Sequence, residues 1–189
     1  MKEYKLPIGC DVPETIILAD GDFPSHPLAL EWLRQCPYVV CCDGAANTYI
    51  RSGRMPEAIV GDGDSLLPDI KERYASLIHS EAEQETNDLS KAFRFCLSQE
   101  RKRITIMGAT GKRGDHTIGN VSLLADYMEQ AEVSMMTDYG IFVPIREDSM
   151  FESYIGQQIS VFNMNSTALS AEGLAYPLSV FTNWWQGTF

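Results

Sequence analysis

The chain has 189 residues, a formal net charge of −11, 44% hydrophobic residues and 22% charged residues. That length buries a real core as one large domain or two small ones, and both proportions are those of a globular protein. The acidic balance excludes a nucleic acid held mainly by phosphate contacts, whereas an anionic nucleotide binds if metal ions or a local basic spot override the global field.

Five cysteines (Cys10, Cys36, Cys41, Cys42, Cys96) form no CxxC pair, and no histidine stands at ligand spacing from them. They read as free structural thiols rather than a zinc site. The opening MKEYKLPIGCDVPET holds no apolar run of signal-peptide length, and no stretch approaches the roughly 20 apolar residues of a membrane span. A soluble, cytoplasmic protein with no membrane partner is expected.

In chain order, TIILA (15–19) is a β-rich run ending in Asp20-Gly21-Asp22. HPLALEWLRQC (26–36) spaces Leu28, Leu30, Leu33 and Cys36 like a helix, with Pro27 suited to its first turn. YVVCC (38–42) is a second strand, followed by Asp43-Gly44 and a helix AANTYIRSG; AIVG (58–61) is a third, running into Asp62-Gly63-Asp64-Ser65. Pro68 opens another helix and SLIHS (76–80) is a short strand. Asn87 or Thr86 caps the helix DLSKAFRFCLSQ, whose Leu89, Phe93, Cys96 and Leu97 share a face. RITIMG (103–108), a glycine loop, the helix HTIGNVSLLADYMEQ and VSMMT (133–137) complete the alternation. Repeated strand–loop–helix units predict an α/β fold, a mostly parallel sheet with helices on both faces. After about residue 138 the segments are short, β-rich and turn-separated, which predicts a smaller antiparallel β-domain.

Open α/β sheets bind ligands at the carboxyl ends of their strands. Asp20, Asp43, Asp62, Asp64 and the 108–115 loop all follow strands and are expected to line one edge. Asp62 and Asp64, two residues apart in a glycine turn, can aim both carboxylates at one hard cation. The loop Gly108-Ala-Thr-Gly-Lys-Arg-Gly-Asp115 is no Walker A loop, but its glycines let backbone N–H groups approach an anion, and Arg113 offers a planar fork for phosphate oxygens. Asp115 would also serve as a helix cap, so a capped helix after a flexible loop is the plain alternative. His116 reads as a base, a nucleotide hydroxyl contact or helix-end packing. On QETND, Gln84 and Asp88 face one pocket with Lys91 a turn further on, or form a solvated helix start.

Together, DGAAN (43–47), GDGDS (61–65), NDLSK (87–91) and GATGKRGDH (108–116) resemble, in order and spacing, the motifs of the thiamine pyrophosphokinase (thiamine diphosphokinase) family, and EGLAYPL (172–178) is similar to that family's C-terminal segment. The resemblance implies an α/β catalytic, nucleotide-binding domain over residues 1–138 and a β-domain over 139–189 that contributes to thiamine binding and to a homodimer. It implies transfer of a diphosphoryl group from ATP to thiamine, giving thiamine diphosphate and AMP, with Mg²⁺ as cofactor. Asp62, Asp64, Asp88 and Asp115 would be catalytic, the first three as metal ligands. Asp43, Gln84, Lys91, Arg113 and His116 would bind ATP, and Trp184 or Trp185 would stack on the cationic thiazolium. Two other readings remain: a diphosphokinase for another alcohol such as a pterin, and a thiamine- or nucleotide-binding protein without catalysis. The sequence departs from the family at Asn87, often Thr, at Gly63, usually Phe, and at its end, where the family continues past the equivalent of Phe189; either part of the thiamine pocket is missing or the natural chain is longer.

Overall fold

The computed structural model describes residues 1–7, 11–81, 85–164, 166, 169–176 and 178. The elements are β1 (Lys2–Tyr4), β2 (Thr15–Leu18), α1 (Pro27–Gln35), β3 (Val39–Cys42), α2 (Ala45–Arg51), β4 (Ala58–Gly61), α3 (Pro68–Arg73), a 3-10 turn (Ala75–Leu77), β5 (Ile78–Ser80), α4 (Asp88–Ser98), β6 (Arg103–Met107), α5 (Gly114–Tyr127), β7 (Glu132–Met136), β8 (Ile141–Phe142) and β9 (Ser149–Phe151). They fall into two compact units, Pro7–Asp148 and a smaller one made of Met1–Leu6 with the chain from Ser149 onward.

In the larger unit seven strands form one sheet in the order β5-β4-β3-β2-β6-β7-β8. Every pairing is parallel except β7 with β8. From β2 the chain steps outward through β3 and β4 to β5, then returns to lay β6 on the other side of β2. The winding therefore reverses between β2 and β6. In β2, β3 and β4 all four residues are buried, without alternation, because helices cover both faces. Ile16, Leu18, Val39, Cys41 and Ile59 pack with α1, α2 and α3, while Ile17, Val40, Cys42, Ala58 and Val60 pack with α4 and α5. Full burial of such side chains stabilises by about 1.5–3 kcal/mol each, which makes the sheet a firm base for the loops at its edge.

Helix starts follow local chemistry. Pro27 occupies the first turn of α1, and His26 Nδ1 accepts from Leu28 N. Pro68 opens α3, and Asn87 caps α4 by accepting from Ser90 N at 2.9 Å. The buried stripe of α1 is Ala29, Trp32 and Leu33, with Leu28 and Cys36 only partly buried, so the leucine-based face is shifted by one position. Ala29 is small enough to let the helix approach the sheet, and Trp32 supplies the bulk. SLIHS divides into the 3-10 turn and the short edge strand β5. Within the β-rich stretch, Ile141–Phe142 lies on the edge of the α/β sheet rather than with the segments that follow it. A turn in which Thr137 Oγ1 accepts from Tyr139 N and Gly140 N returns the chain alongside β7.

In the smaller unit β1 and β9 pair in parallel, and the rings of Tyr4 and Phe151 stack with centroids 4.6 Å apart. Among the described residues no helix is long and apolar enough to cross a membrane. The described cysteines Cys36, Cys41, Cys42 and Cys96 are free thiols.

Candidate functional site

The reversal between β2 and β6 is the place where an open α/β sheet forms a ligand crevice. The loops after β2, β3, β4 and β6 and the start of α4 supply its residues. Asp43 follows β3 in the left-handed region (φ 29°), which turns the chain sharply into α2. Its side chain is buried, with 4% of the residue exposed. Oδ2 accepts from Ser65 N at 3.0 Å, whereas Oδ1 has no hydrogen-bond partner among the described residues. Burial pushes its pKa up; the Ser65 N–H opposes this, and the negative charges of Asp88 and Asp62 add to it.

Two glycines let these carboxylates converge. A Cβ at Gly61 would stand 2.8 Å from Asp43 Cβ and 3.4 Å from Asp88 Cγ, and one at Gly44 would stand 2.7 Å from Asp20 Oδ2. Among the described residues, no three acidic, imidazole or thiol groups are arranged to hold a metal by themselves.

The turn after β4 is held by its own side chains and by α2. Asp62 Oδ1 accepts from Asp64 N at 3.1 Å, and Lys71 Nζ donates to Gly63 O at 3.0 Å. Asn47 donates through Nδ2 to Ser65 O at 2.8 Å and accepts from Leu67 N at 3.0 Å. Asp43 and Asn47, one helical turn apart, thus grip the same stretch of backbone. The Asp62 side chain is half-buried and Asp64 is exposed.

At the start of α4, Lys91 is 3% exposed, and its Nζ donates to Asp88 Oδ1 at 3.2 Å. Asn87 Nδ2 donates to Asn120 Oδ1 at 3.2 Å, and Asn120 Nδ2 donates to Ala109 O at 2.9 Å. This amide chain links the helix that carries Asp88 to the glycine loop.

The glycine loop is zipped to the loop after β2 by Gly21 N to Gly108 O and Asp22 N to Thr110 O, at 2.6 and 2.8 Å. Gly111 (φ 85°) admits no side chain, since a Cβ would lie within 2.0 Å of Asp22 Oδ2. Lys112 Nζ sits 3.0 Å from Asp20 Oδ1. Arg113 holds Asp115 in a fork, Nε to Oδ1 at 3.1 Å and Nη2 to Oδ2 at 2.5 Å, and the hydrogen bond from Arg113 draws the Asp115 carboxyl down to about 2. Arg113, not Asp115, stands at the N-cap of α5, and no side chain caps this helix, so the expectation that Asp115 caps it is corrected. Asp115 is held back on Arg113 instead.

Residues 29–136 match the family model described as "Thiamin pyrophosphokinase, catalytic domain", and residues 140–189 match "Thiamin pyrophosphokinase, substrate-binding domain". The chain belongs to the thiamin pyrophosphokinase family. Thiamine pyrophosphokinase 1 of Oryza sativa subsp. japonica is 30% identical over 129 residues, covering 55% of this chain and 49% of its own. Thiamine pyrophosphokinase of Bacillus subtilis is 34% identical over 86 residues, covering 43% and 40%. The chain therefore spans about half the length of the curated relatives it matches. Among solved structures, yeast thiamin pyrophosphokinase aligns with a TM-score of 0.58 at 18% identity over 72% of this chain and 63% of its own, which shows the shared fold. The Geobacillus thermodenitrificans enzyme aligns with a TM-score of 0.53 at 26% identity, covering 65% and 58%.

Within this member of the thiamin pyrophosphokinase family, the fold brings Asp43 into the fields of Asp62 and Asp88 and sets Lys91 on Asp88. Arg113, Asp115 and His116 lie exposed at the start of α5. Gln84, Trp184 and Trp185 lie outside the described residues. Asn47, Asn120 and Lys112 also hold the site together, beyond what the sequence motifs mark. Asn47 had a signal available, since it ends DGAAN one helical turn after Asp43. Asn120 and Lys112 act through pairings with distant residues, which no local pattern reveals.

Proposed function

We propose that this chain transfers the terminal diphosphoryl group of ATP to the hydroxyl of thiamine, producing thiamine diphosphate and AMP with Mg²⁺ as cofactor, as a homodimer. One observation carries the reading: Asp43 is a buried carboxylate with an unpartnered oxygen, in the fields of Asp62 and Asp88, at the sheet edge where nucleotides bind. A buried carboxylate of this kind suits a cation. Family membership supports thiamine as the acceptor.

Asp62, Asp64 and Asp88 are the residues that would hold Mg²⁺, joined by Asp43 through its unpartnered oxygen. When bound, the ion neutralises phosphate oxygens and fixes the phosphate chain for in-line displacement. The chain's own side chains supply the rest. Lys91, kept in place by burial and by Asp88, presents an ammonium to the phosphate chain, joined by Gln84. Arg113 is exposed and exchanges Asp115 for a phosphate edge, its planar fork suiting either. His116 meets the nucleotide beside it. Trp184 and Trp185 supply an aromatic face for the thiazolium cation. Attack through a loose transition state asks chiefly for positioning and charge neutralisation, so no dedicated base is required.

ATP labelled at the β-phosphorus tests the reaction type. The reading expects label in a thiamine ester and unlabelled AMP; label retained in ADP would overturn it. Unlabelled AMP with the label in an ester of a different added alcohol would move the assignment to that acceptor.

A further inference from the structure

We infer that Lys112 is an additional phosphate-contacting residue, parked on Asp20 until an anionic ligand enters the crevice; this rests on the reading of the crevice as a nucleotide site. Lys112 has φ 34°, in the left-handed region where a side chain costs free energy that glycine would not. Non-glycine residues persist there when the surrounding structure imposes it, and functional sites are one place where they cluster.

What Lys112 gains is an ion pair with Asp20 at 3.0 Å, with both side chains about half exposed, at 55% and 46%. An exposed pair stabilises a fold little, so stability does not account for the strained backbone. Its position does carry meaning. Asp20 follows β2 and Lys112 lies in the loop after β6, the two strands between which the winding reverses, so the pair bridges the loops on either side of that reversal. The two loops are zipped together through their backbones, which fixes where the lysine stem starts. Asp20 also packs its other oxygen against Gly44, leaving the flexible lysine as the partner free to move. Lys112 and Arg113 are therefore both matched to carboxylates, Asp20 and Asp115, in the resting chain. An incoming phosphate chain, with several charged oxygens, competes for the ammonium better than one carboxylate.

Calorimetric titration of the full chain with the Mg²⁺ complex of α,β-methylene-ATP, combined with thermal melts, tests this. Lys112→Gly is expected to weaken binding about tenfold while leaving Tm unchanged or higher, because the cation is lost and the backbone strain relieved. Lys112→Arg is expected to restore most of the affinity. Asp20→Asn releases the lysine and is expected to tighten binding about threefold, a gain absent from the Asp20→Asn/Lys112→Gly double variant. Unchanged affinity in Lys112→Gly, or a lower Tm with unchanged affinity, would overturn the proposal and leave Lys112 a surface pin. Weaker binding in Asp20→Asn would overturn the parking role. If the native chain binds the analogue yet makes no AMP from ATP and thiamine, the proposed reaction fails while these affinity ratios still judge Lys112. If it does not bind the analogue at all, both fail.

Discussion

A carboxylate with one oxygen on Ser65 N and the other buried without a partner costs the fold free energy whenever it is ionised. For Asp43 the folded pKa is raised, so in the window between the ordinary carboxylate value and the raised one the folded chain keeps a proton that the unfolded chain has released. Stability accordingly falls as pH rises through that window and stays lower above it. Asp43→Asn retains an acceptor for Ser65 N and removes the charge. It is expected to raise Tm by roughly 2–4 °C near neutral pH, with the gain shrinking below the carboxylate range, and to cut turnover at least about 100-fold. Melts at neutral and acid pH, paired with an activity assay, check this; a lower Tm at neutral pH would count against it. The sequence marks Asp43 as an aspartate after a strand. It does not mark the orphaned oxygen, because that depends on Gly61 and Ser65 arriving from β4 and the turn after it, and Asp88 from α4.

At the scale of elements, Asn47 on α2 holds the turn that carries Asp62 and Asp64. Asn47→Ala leaves Ser65 O and Leu67 N without their side-chain partner and is expected to cost about 1–3 kcal/mol. It is also expected to raise the Mg²⁺ concentration needed for half-maximal activity several-fold, with little change in the thiamine requirement. An unchanged Mg²⁺ requirement would reduce Asn47 to a stability role. Asn87→Ala removes the α4 cap, a loss of about 1 kcal/mol in denaturant unfolding, and cuts the link through Asn120 to the glycine loop. Asn87→Ser, which keeps a capping oxygen, is expected to recover most of that stability. The starts of α1, α3 and α4 were legible because prolines and asparagines act within a turn of themselves, whereas at α5 Asp115 is held on Arg113 instead of capping. The buried stripe of α1 was not, since Ala29 and Trp32 face the sheet one position away from the leucine spacing. Nor was β1 assigned, whose partner β9 lies near the other end of the chain, or the attachment of β8 to the main sheet. Pairings set by tertiary contact leave little trace in short segments.

Over the whole molecule, an acidic chain with a net charge of −11 is proposed to take up a polyanion. Lysine, arginine and a carboxylate-bound cation, gathered at the edge where the sheet's winding reverses, would offset that charge. The parallel sheet and its two helical layers were legible from the strand–loop–helix repeat. The strand order was not, because the crossing from β5 back to β6 leaves no local signature. On the function proposed above, this edge performs thiamine-dependent diphosphoryl transfer. Its most direct test is to quantify AMP, ADP and thiamine diphosphate after incubating the chain with ATP, Mg²⁺ and thiamine, with Asp43→Asn and a thiamine-free mixture alongside. The account predicts one AMP per thiamine diphosphate from the native chain and neither product from the two controls. ADP as the nucleotide product, AMP formed without thiamine, or full activity in Asp43→Asn would contradict it.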